Sequence, residues 1–493
     1  MYYLGYDIGS SSIKVALIEA DSGKTIDIQK EPAMEMPIES PRKGWAEQDP
    51  NLWWNYVCIG TQKLLTKCAV DKNEITGIGI AYQMHGLVLL DKEGNPLRNA
   101  IIWCDSRAVE IGEQAAADLG GEFCTYHLLN TPGNFTASKL KWVKENEPDI
   151  YSQINYFMLP GDYIAAKFTH VSSTTISGLT EGIFWDFKEE KLSAHLLDFY
   201  GIEKEIFPPI VPTFGKQGIV SAQGARESGL AEGIPVLYRA GDQPNNALSL
   251  NVFSPGEIAM TGGTSAVAFT ITDQIKTKEI HRVNTFAHVN YSPNRPSLGK
   301  LLCINGAGIQ YRWLKEQLKI KSYDEMNDLA SEVSAGSDGL LIYPFGNGAE
   351  RILYNKNPGT SILHLDLNRH TTAHLCRATL EGIAFSLMYG IDILISEGLK
   401  PKVIRAGNDN LFKSAVFAQT MCNLIGHPIE IYNTTGAVGA ARACMIHQYG
   451  FKAFSKTVMN NDLVQTYTPK KEIKPISQAY QQWKEKLDSH LNQ

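Results

Sequence analysis

Two similar segments, one in each half of the chain, constrain the fold more than any other feature of the sequence. Residues 4–18 read as an apolar strand, a turn of sequence Gly-Ser-Ser-Ser at 9–12 and a second apolar strand. Residues 257–270 repeat this layout around a Gly-Gly-Thr-Ser turn at 262–265. The repetition predicts two related halves, each presenting a glycine hairpin to a common cleft, with a boundary near residues 244–256.

The composition of these two turns is suited to phosphate. Glycine permits the close approach of a ligand oxygen, and successive backbone N–H groups in a tight turn form a small anion site. Each turn taken alone is better explained as an ordinary β-hairpin turn, because glycine is the usual hairpin residue. Their occurrence at matching places favours the phosphate interpretation.

Two charged residues flank the first turn. Asp7 precedes it, where a carboxylate either holds Mg²⁺ through water or bonds its own backbone to initiate the turn. Lys14 follows the turn and either meets a phosphate or is a solvated strand residue. The residues themselves do not decide between these roles.

Several other devices for binding or catalysis are missing from the sequence. Residues 23–25 resemble the end of a P-loop, but Ile18 stands where its first glycine is required. No G-x-G-x-x-G, G-x-S-x-G or H-E-x-x-H motif occurs. The eight cysteines are scattered without a C-x-x-C pair, which gives no support to a zinc knuckle or a dithiol redox site.

Composition restricts the partners of the chain. The chain has 46 Lys and Arg residues and 52 Asp and Glu residues, which gives a net charge of −6. This charge argues against sequence-independent binding of nucleic acid. A hydrophobic fraction of 43% over 493 residues predicts a folded protein with more than one core. The first residues do not have the pattern of a secretory signal, and we expect a cytoplasmic protein without a membrane partner.

Strand and helix patterns alternate along the chain. Strands are predicted at 75–80 and 236–238, and a long helix at 371–396. The Pro- and Gly-containing stretch 207–218 is predicted to be a surface loop. The alternation predicts an α/β protein with mixed sheets.

A carboxylate follows the predicted strand at 236–238. Asp242 lies between Gly241 and a segment that opens a helix with Pro244 in its first turn. One interpretation is a helix N-cap. The other is a general base that accepts the proton of an attacking hydroxyl, as the phosphorylation of an alcohol requires.

Two further segments combine apolar and polar groups near predicted strand ends. Met84 and His85 follow the strand at 75–80, where they either pack in the core or meet the hydroxyls of a sugar. Trp103 and Asp105 follow an apolar run. With Arg107 close by, this second segment taken alone is also explained as a salt-bridged loop.

Together these segments resemble the FGGY family of carbohydrate kinases, and most closely its xylulokinase members. The resemblance extends from residue 3 to about residue 445, and the Met-His pair at 84 and 85 is its most substrate-specific part. The segments that carry it are 45–50, 84–91, 101–107, 136–142 and 159–163.

The resemblance implies an actin-like ATPase fold, with two ribonuclease-H-like domains whose mixed sheets flank an interdomain cleft. The domains would span residues 1–247 and 248–493. The implied reaction is the ATP-dependent phosphorylation of D-xylulose to D-xylulose 5-phosphate, with release of ADP and with Mg²⁺ as a cofactor.

The resemblance also implies roles for particular residues. Asp242 would be the catalytic base, and Asp7 and Asp242 would serve the metal. The implied sugar contacts are Met84, His85, Trp103, Asp105, Asp242 and Gln243. The implied nucleotide contacts are Asp7, Gly9, Ser10, Ser11, Ser12, Lys14, Gly262, Gly263, Thr264, Ser265, Trp313, Gly407 and Asn408. Residues 436–441 would form a second connection between the domains.

Three positions depart from the family pattern. Gln243 stands where xylulokinases usually have Asn, as in glycerol-type members, which leaves ribulose, another ketose or glycerol open as the substrate. The glycine run near the adenine site is thinned at 406–408, and His364 replaces a glycine. The competing class is a nucleotide-binding sensor, although a sensor needs no carboxylate at position 242. The sequence leaves open whether the chain forms a homodimer.

Overall fold

The computed structural model describes residues 1–491, so that Asn492 and Gln493, at the end of the predicted C-terminal domain, lie outside the described residues. The strands are β1 (Tyr2–Ile8), β2 (Ile13–Glu19), β3 (Thr25–Glu31), β4 (Glu47–Gln48), β5 (Ile75–Tyr82), β6 (Val88–Leu90), β7 (Ala100–Ile101), β8 (Tyr156–Met158), β9 (Thr174–Thr175), β10 (Trp185–Asp186), β11 (Lys191–Leu192), β12 (Ile210–Val211), β13 (Phe214–Ile219), β14 (Pro235–Gly241), β15 (Glu257–Gly262), β16 (Ala266–Thr272), β17 (Asn284–Ala287), β18 (Leu298–Ile304), β19 (Leu341–Phe345), β20 (Gly359–Leu363), β21 (Val403–Gly407), β22 (Ile429–Tyr432) and β23 (Leu463–Tyr467). The helices are α1 (Pro50–Cys68), α2 (Val109–Leu119), α3 (Gly121–Phe123), α4 (Thr136–Asn146), α5 (Pro148–Tyr151), α6 (Pro160–Thr169), α7 (Ile176–Glu181), α8 (Ala194–Tyr200), α9 (Ala222–Ser228), α10 (Asp242–Ser249), α11 (Gly308–Gln317), α12 (Tyr323–Glu332), α13 (Thr372–Ser396), α14 (Ala415–Ile425), α15 (Gly436–Asp462) and α16 (Lys474–Leu491).

Two large mixed sheets repeat one topology. The first has the order β13-β14-β5-β1-β2-β3 and the second the order β17-β18-β16-β15-β21-β22-β23. In each, an antiparallel hairpin (β1-β2 or β15-β16) is extended by two parallel strands on one side (β5 and β14, or β21 and β22). The internal repeat predicted from the two glycine turns is therefore a repeat of the whole sheet, and the α/β prediction with mixed sheets is confirmed.

Helix α15 joins the two halves, because it follows a strand of the second sheet and packs on the first. The contact requires glycine in both neighbouring strands of the first sheet. A Cβ atom on Gly5 would lie 2.0 Å from the carbonyl oxygen of Ala437, and one on Gly79 would lie 1.9 Å from that of Ala440. These two glycines bring the start of α15 directly onto the sheet, beside the ends of β1 and β5.

Each half has its own hydrophobic core. The core beside the first sheet includes Trp53 of α1 and Tyr6 of β1, and the core beside the second surrounds α13 and includes Trp483 of α16. Helix α13 has the length and apolar character of a membrane span (mean hydropathy 1.5), but 83% of the relevant window is buried inside the fold. Its apolar residues are therefore occupied in packing against the C-terminal core.

The structure can be compared with the sequence predictions at two local positions, the stretch 207–218 and His364. The predicted loop at 207–218 is wrong in two places, because Ile210–Val211 forms the short strand β12, parallel to β9, and Phe214–Ile219 forms the edge strand β13, antiparallel to β14. His364, which replaces a family glycine, has φ of 61°. It therefore adopts the left-handed conformation that glycine takes without cost.

Candidate active site

Three parallel strands of the first sheet end at the floor of one cleft. Strand β5 lies between β1 and β14, and Ala81 is in register with both Asp7 and Ala240. Because the carboxyl ends of parallel strands meet at the same sheet edge, Asp7 and Asp242 are brought together from distant parts of the chain. The cleft beside them has a volume of about 1710 Å³.

Asp242 is the first residue of α10 and lines the cleft. Its side chain makes no N-cap hydrogen bond, since the cap position is Gly241. Gln243 Nε2 donates to Asp242 Oδ2 at 3.3 Å. Burial, with a further contribution from the negative charge of Asp7, raises the pKa of Asp242 to about 7. A carboxyl with this pKa is suited to accept a proton near neutral pH.

Asp7 lies opposite the start of α15. Lys14 Nζ is 3.4 Å from Asp7 Oδ2, because the two residues are paired across the β1-β2 hairpin. A Cβ atom on Gly436 would lie 2.9 Å from Asp7 Oδ2 and 3.3 Å from Asn246 Oδ1. The absence of a side chain at Gly436 therefore leaves room for the Asp7 carboxylate at the floor of the cleft.

His85 is held in one orientation by Glu181, a buried residue of α7. The backbone N–H of His85 donates to Glu181 Oε2 at 3.1 Å, and Nδ1 lies 3.0 Å from the carbonyl oxygen of Glu181. Burial, with a smaller contribution from Lys139, lowers the pKa of His85 to about 3, so the ring is neutral at pH 7. Since a carbonyl only accepts, the proton is on Nδ1, and Nε2 is left as an acceptor for a ligand hydroxyl.

The opposite wall of the cleft is built from the second sheet. The turn between β15 and β16 contributes Gly263 and Ser265, while Gly407 is the last residue of β21 and Asp409 lies just after it. The backbone N–H of Gly262 donates to Asp409 Oδ1 at 3.3 Å, and burial raises the pKa of Asp409 to about 6. Each wall thus presents one of the two glycine turns.

The carboxylates on the floor of the cleft fit a magnesium ion. Within residues 1–491, no group of three or more His, Cys, Asp and Glu side chains that could hold a metal ion is present. Asp7 and Asp242 are nevertheless close enough for the charge of one to raise the pKa of the other. Magnesium in nucleotide sites is bound by one or two carboxylates, with substrate phosphates and water as its other ligands.

Comparison with known protein families supplies the identification. The model of the N-terminal domain of the FGGY family of carbohydrate kinases matches residues 2–249, and that of its C-terminal domain matches residues 258–447. The chain belongs to the FGGY family of carbohydrate kinases.

Individual relatives of this FGGY kinase agree with that result. A xylulose kinase of Staphylococcus epidermidis is 29% identical over 80% of this chain and 77% of its own length. An L-xylulose/3-keto-L-gulonate kinase of Escherichia coli is 30% identical over 92% of this chain and 90% of its own length. The crystal structure of a xylulose kinase from Brucella ovis superposes with a TM-score of 0.88 at 25% identity, over 99% of each chain. The enzyme is a phosphotransferase that uses ATP, and its fold is the actin-like fold of the family.

Most of the site residues predicted from the sequence line the cleft of the FGGY kinase. They are Asp7, Gly9, Ser10, Ser11, Ser12, Lys14, Met84, His85, Trp103, Asp242, Gln243, Gly263, Ser265 and Gly407. Trp103 also contacts the first turn, since its Nε1 donates to Ser10 Oγ at 3.3 Å. The cleft therefore brings together predicted residues from both ends of the chain.

Five predicted residues are not part of the cleft lining: Asp105, Gly262, Thr264, Trp313 and Asn408. Asp105 is fully buried, and its carboxylate accepts from the backbone N–H of Ala46 and from Arg107. The structure thus shows the salt-bridged loop, one of the two interpretations of this segment. Trp313 lies on α11 with 46% of its surface exposed.

Several cleft residues were not predicted from the sequence. Gln83, Arg351 and Asp409 line the cleft, whereas Lys139 is buried and donates from Nζ to the carbonyl oxygens of His85 and Ile102, both at 2.9 Å. The position of Gln83 directly before the Met-His pair could have indicated that it belongs to the site. The others come from helices and turns whose place beside the cleft no local pattern indicates.

Proposed function

We propose that this FGGY kinase transfers the γ-phosphoryl group of ATP to the 5-hydroxyl of D-xylulose, giving D-xylulose 5-phosphate and ADP. The observation that carries the proposal is the convergence of Asp242, Asp7 and the pair Met84 and His85 at one cleft whose two walls each present a glycine turn. The choice of D-xylulose as the sugar is inferred from the xylulose kinases among its relatives.

In the proposed reaction Asp242 accepts the proton of the sugar hydroxyl. The hydroxyl oxygen forms a bond to the γ-phosphorus while the bond from that phosphorus to the β–γ bridging oxygen breaks, and the electron pair leaves with ADP. His85 Nε2 accepts from another sugar hydroxyl, and Met84 contacts the carbon chain. Positioning and charge neutralisation, without a covalent intermediate, account for catalysis.

Asp7 and Asp242 are the residues that would hold Mg²⁺ together with the phosphates of ATP, directly or through water. Magnesium supplies charge neutralisation on the phosphoryl oxygens when it is bound. The backbone N–H groups and hydroxyls of the turns at 9–12 and 262–265 would bind the phosphate oxygens. We place the enzyme in the cytoplasm and assign the two halves, 1–247 and 248–493, to the two walls of the cleft.

The decisive experiment is a substrate panel with the purified protein and MgATP, followed by coupled detection of ADP. The panel contains D-xylulose, L-xylulose, D-ribulose, glycerol and a control without sugar. We expect the highest kcat/KM with D-xylulose. L-xylulose is included because the E. coli relative is named for it, and glycerol and D-ribulose because of Gln243. A preference for one of these would support the kinase activity but contradict D-xylulose as the substrate.

The variant Asp242→Asn separates the kinase from a nucleotide-binding sensor. Loss of the base should lower kcat by about 10²- to 10⁴-fold, while the protein stays folded and binds ADP. If ADP formation by the wild type does not increase with any sugar, the result would support the nucleotide-binding sensor. Sugar-dependent turnover that survives in Asp242→Asn would refute the base.

A further inference from the structure

We propose that Gln83 binds the phosphoryl group during its transfer, as a neutral contact between the carboxylates of Asp7 and Asp242. The inference rests on the proposed function, since it assigns a further residue to the same reaction. It starts from the order of the first sheet, in which β5 is the strand between β1 and β14. Gln83 directly follows β5, so it lies between β1, which contains Asp7, and β14, which immediately precedes Asp242.

Strand register relates Gln83 to both acids. Asp7 and Ala240 are both in register with Ala81, and side chains two positions apart along a strand point to the same side. The backbone N–H of Gln83 donates to the carbonyl oxygen of Ile8 at 2.8 Å, which continues the pairing of β5 with β1 past Tyr82. Gln83 and Asp242 therefore each stand two residues beyond a residue, Ala81 or Ala240, that shares its face of the sheet with Asp7.

The amide of Gln83 has no partner within the described protein. The side chain is 3% exposed, and neither Nε2 nor Oε1 has a hydrogen-bond partner. Leaving a buried amide unpaired is unfavourable, and an unpaired group in a folded protein requires an explanation such as a bound ligand, ion or water. Gln83 lines the cleft, so the ligand that enters the cleft is the available partner.

The chemistry of an amide suits this position. A third carboxylate between Asp7 and Asp242 would repel an incoming phosphate, whereas an amide donates N–H groups without adding charge. During transfer the bond to the ADP oxygen breaks, the bond to the sugar oxygen forms and the proton passes to Asp242. Gln83 exchanges no proton in this step, and its Nε2 donates to a phosphoryl oxygen between the two bonding positions. Such a donor acts mainly on kcat.

The test compares Gln83→Met, which keeps the length of the side chain and removes the amide, with Gln83→Glu, which keeps an acceptor and removes the donors. Gln217→Met is the matched control, because Gln217 is also buried (5% exposed) but already donates from Nε2 to the carbonyl oxygens of Pro212 and Thr213, at 2.7 and 3.1 Å. The readouts are kcat and KM, the Tm without ligands, and the Kd values of Mg·ADP and of Mg·AMP-PNP, a non-hydrolysable ATP analogue.

For Gln83→Met we expect kcat to fall about 10²- to 10³-fold, as for the loss of one preorganised donor, with KM for the sugar changed less than about threefold. The Tm should be unchanged or higher, because an unpaired buried amide has been removed. The affinity for Mg·AMP-PNP should fall while that for Mg·ADP is kept. Gln83→Glu should be no more active than Gln83→Met, and Gln217→Met should lower Tm and keep kcat.

Two results would overturn the proposal. The first is a kcat of Gln83→Met within threefold of the wild type. The second is a fall in Tm like that of Gln217→Met, with both nucleotides weakened equally, which would make Gln83 a structural residue. If the wild type phosphorylates no sugar, the proposed function fails, and the comparison of the two nucleotides still tests Gln83.

Discussion

Asp242 should make the folded protein less stable at neutral and alkaline pH than at acid pH, and the variant Asp242→Asn should remove this effect. Its pKa is raised from 3.8 to about 7, chiefly by burial. The folded state therefore holds a proton that the unfolded state has already lost between these two pH values. Stability must fall as the pH rises from about 4 to about 7, and the full cost is present above pH 7.

The magnitude follows from the two pKa values. At about 1.36 kcal/mol for each pH unit, the interval from 3.8 to about 7 corresponds to about 4 kcal/mol above pH 7 and to about 2 kcal/mol at pH 5. Asparagine is neutral in both states and does not carry this cost. With roughly 2–4 °C per kcal/mol for a domain of this size, Asp242→Asn should raise Tm by at least about 8 °C at pH 8, and by about half of that at pH 5.

The assay is thermal unfolding of the ligand-free wild type and variant at pH 5 and pH 8. Asp27→Asn is a control of opposite sign, because a hydrogen bond from Lys67 lowers the pKa of Asp27. This control should lose stability at pH 8. A variant Asp242→Asn that is no more stable than the wild type at pH 8, or that gains equally at both pH values, would refute the raised pKa of the Asp242 carboxyl.

Three further predictions concern activity and stability. The kcat/KM for the sugar should rise with pH and level off above an apparent pKa near 7, the value of Asp242 in the free enzyme; a flat profile from pH 5 to 9 would contradict this. Gly436→Ala should lower kcat at least about tenfold without unfolding the protein, because its Cβ would lie 2.9 Å from Asp7 Oδ2; rates equal to wild type would show that the carboxylate moves freely. Arg239→Met should destabilise the protein by about 3–5 kcal/mol, as measured by denaturant unfolding, because it leaves Asp162 buried without the partner now 2.9 Å away; a loss below about 1 kcal/mol would contradict the ion pair's role.

Local sequence patterns accounted for much of the fold. The two strand-turn-strand units, the strand before Met84 and the long apolar helix lie where they were predicted, because each is specified by hydrophobic periodicity and turn residues within a short window. The prediction was wrong where tertiary pairing overrides a local signal. Phe214–Ile219 contains two glycines and reads as a loop, yet it is an edge strand because β14 supplies its hydrogen-bond partners.

For the site, the sequence identified residues that follow strands, whereas the folded structure was needed to show which of them meet. Asp105 shows the limit most clearly. Its spacing from Trp103 is that of the family segment, but its carboxylate is turned away to Ala46 and Arg107 in a buried ion pair. The sequence left both a sugar contact and a salt-bridged loop with Arg107 open for this segment, and the choice depends on packing from distant segments such as that of Ala46.

The kinds of elements, the duplication of the glycine hairpin and the family could all be predicted from the amino-acid sequence, since they depend on periodicity and on short ordered motifs. Tertiary structure alone decided that β5 runs between β1 and β14, and that α15 returns from the second half to lie beside Asp7. The pKa of Asp242 and the unpaired amide of Gln83 follow from that arrangement. Both depend on burial, and the pKa of Asp242 also depends on the charge of Asp7, which lies more than two hundred residues away along the chain. Burial and such contacts exist only in the folded state.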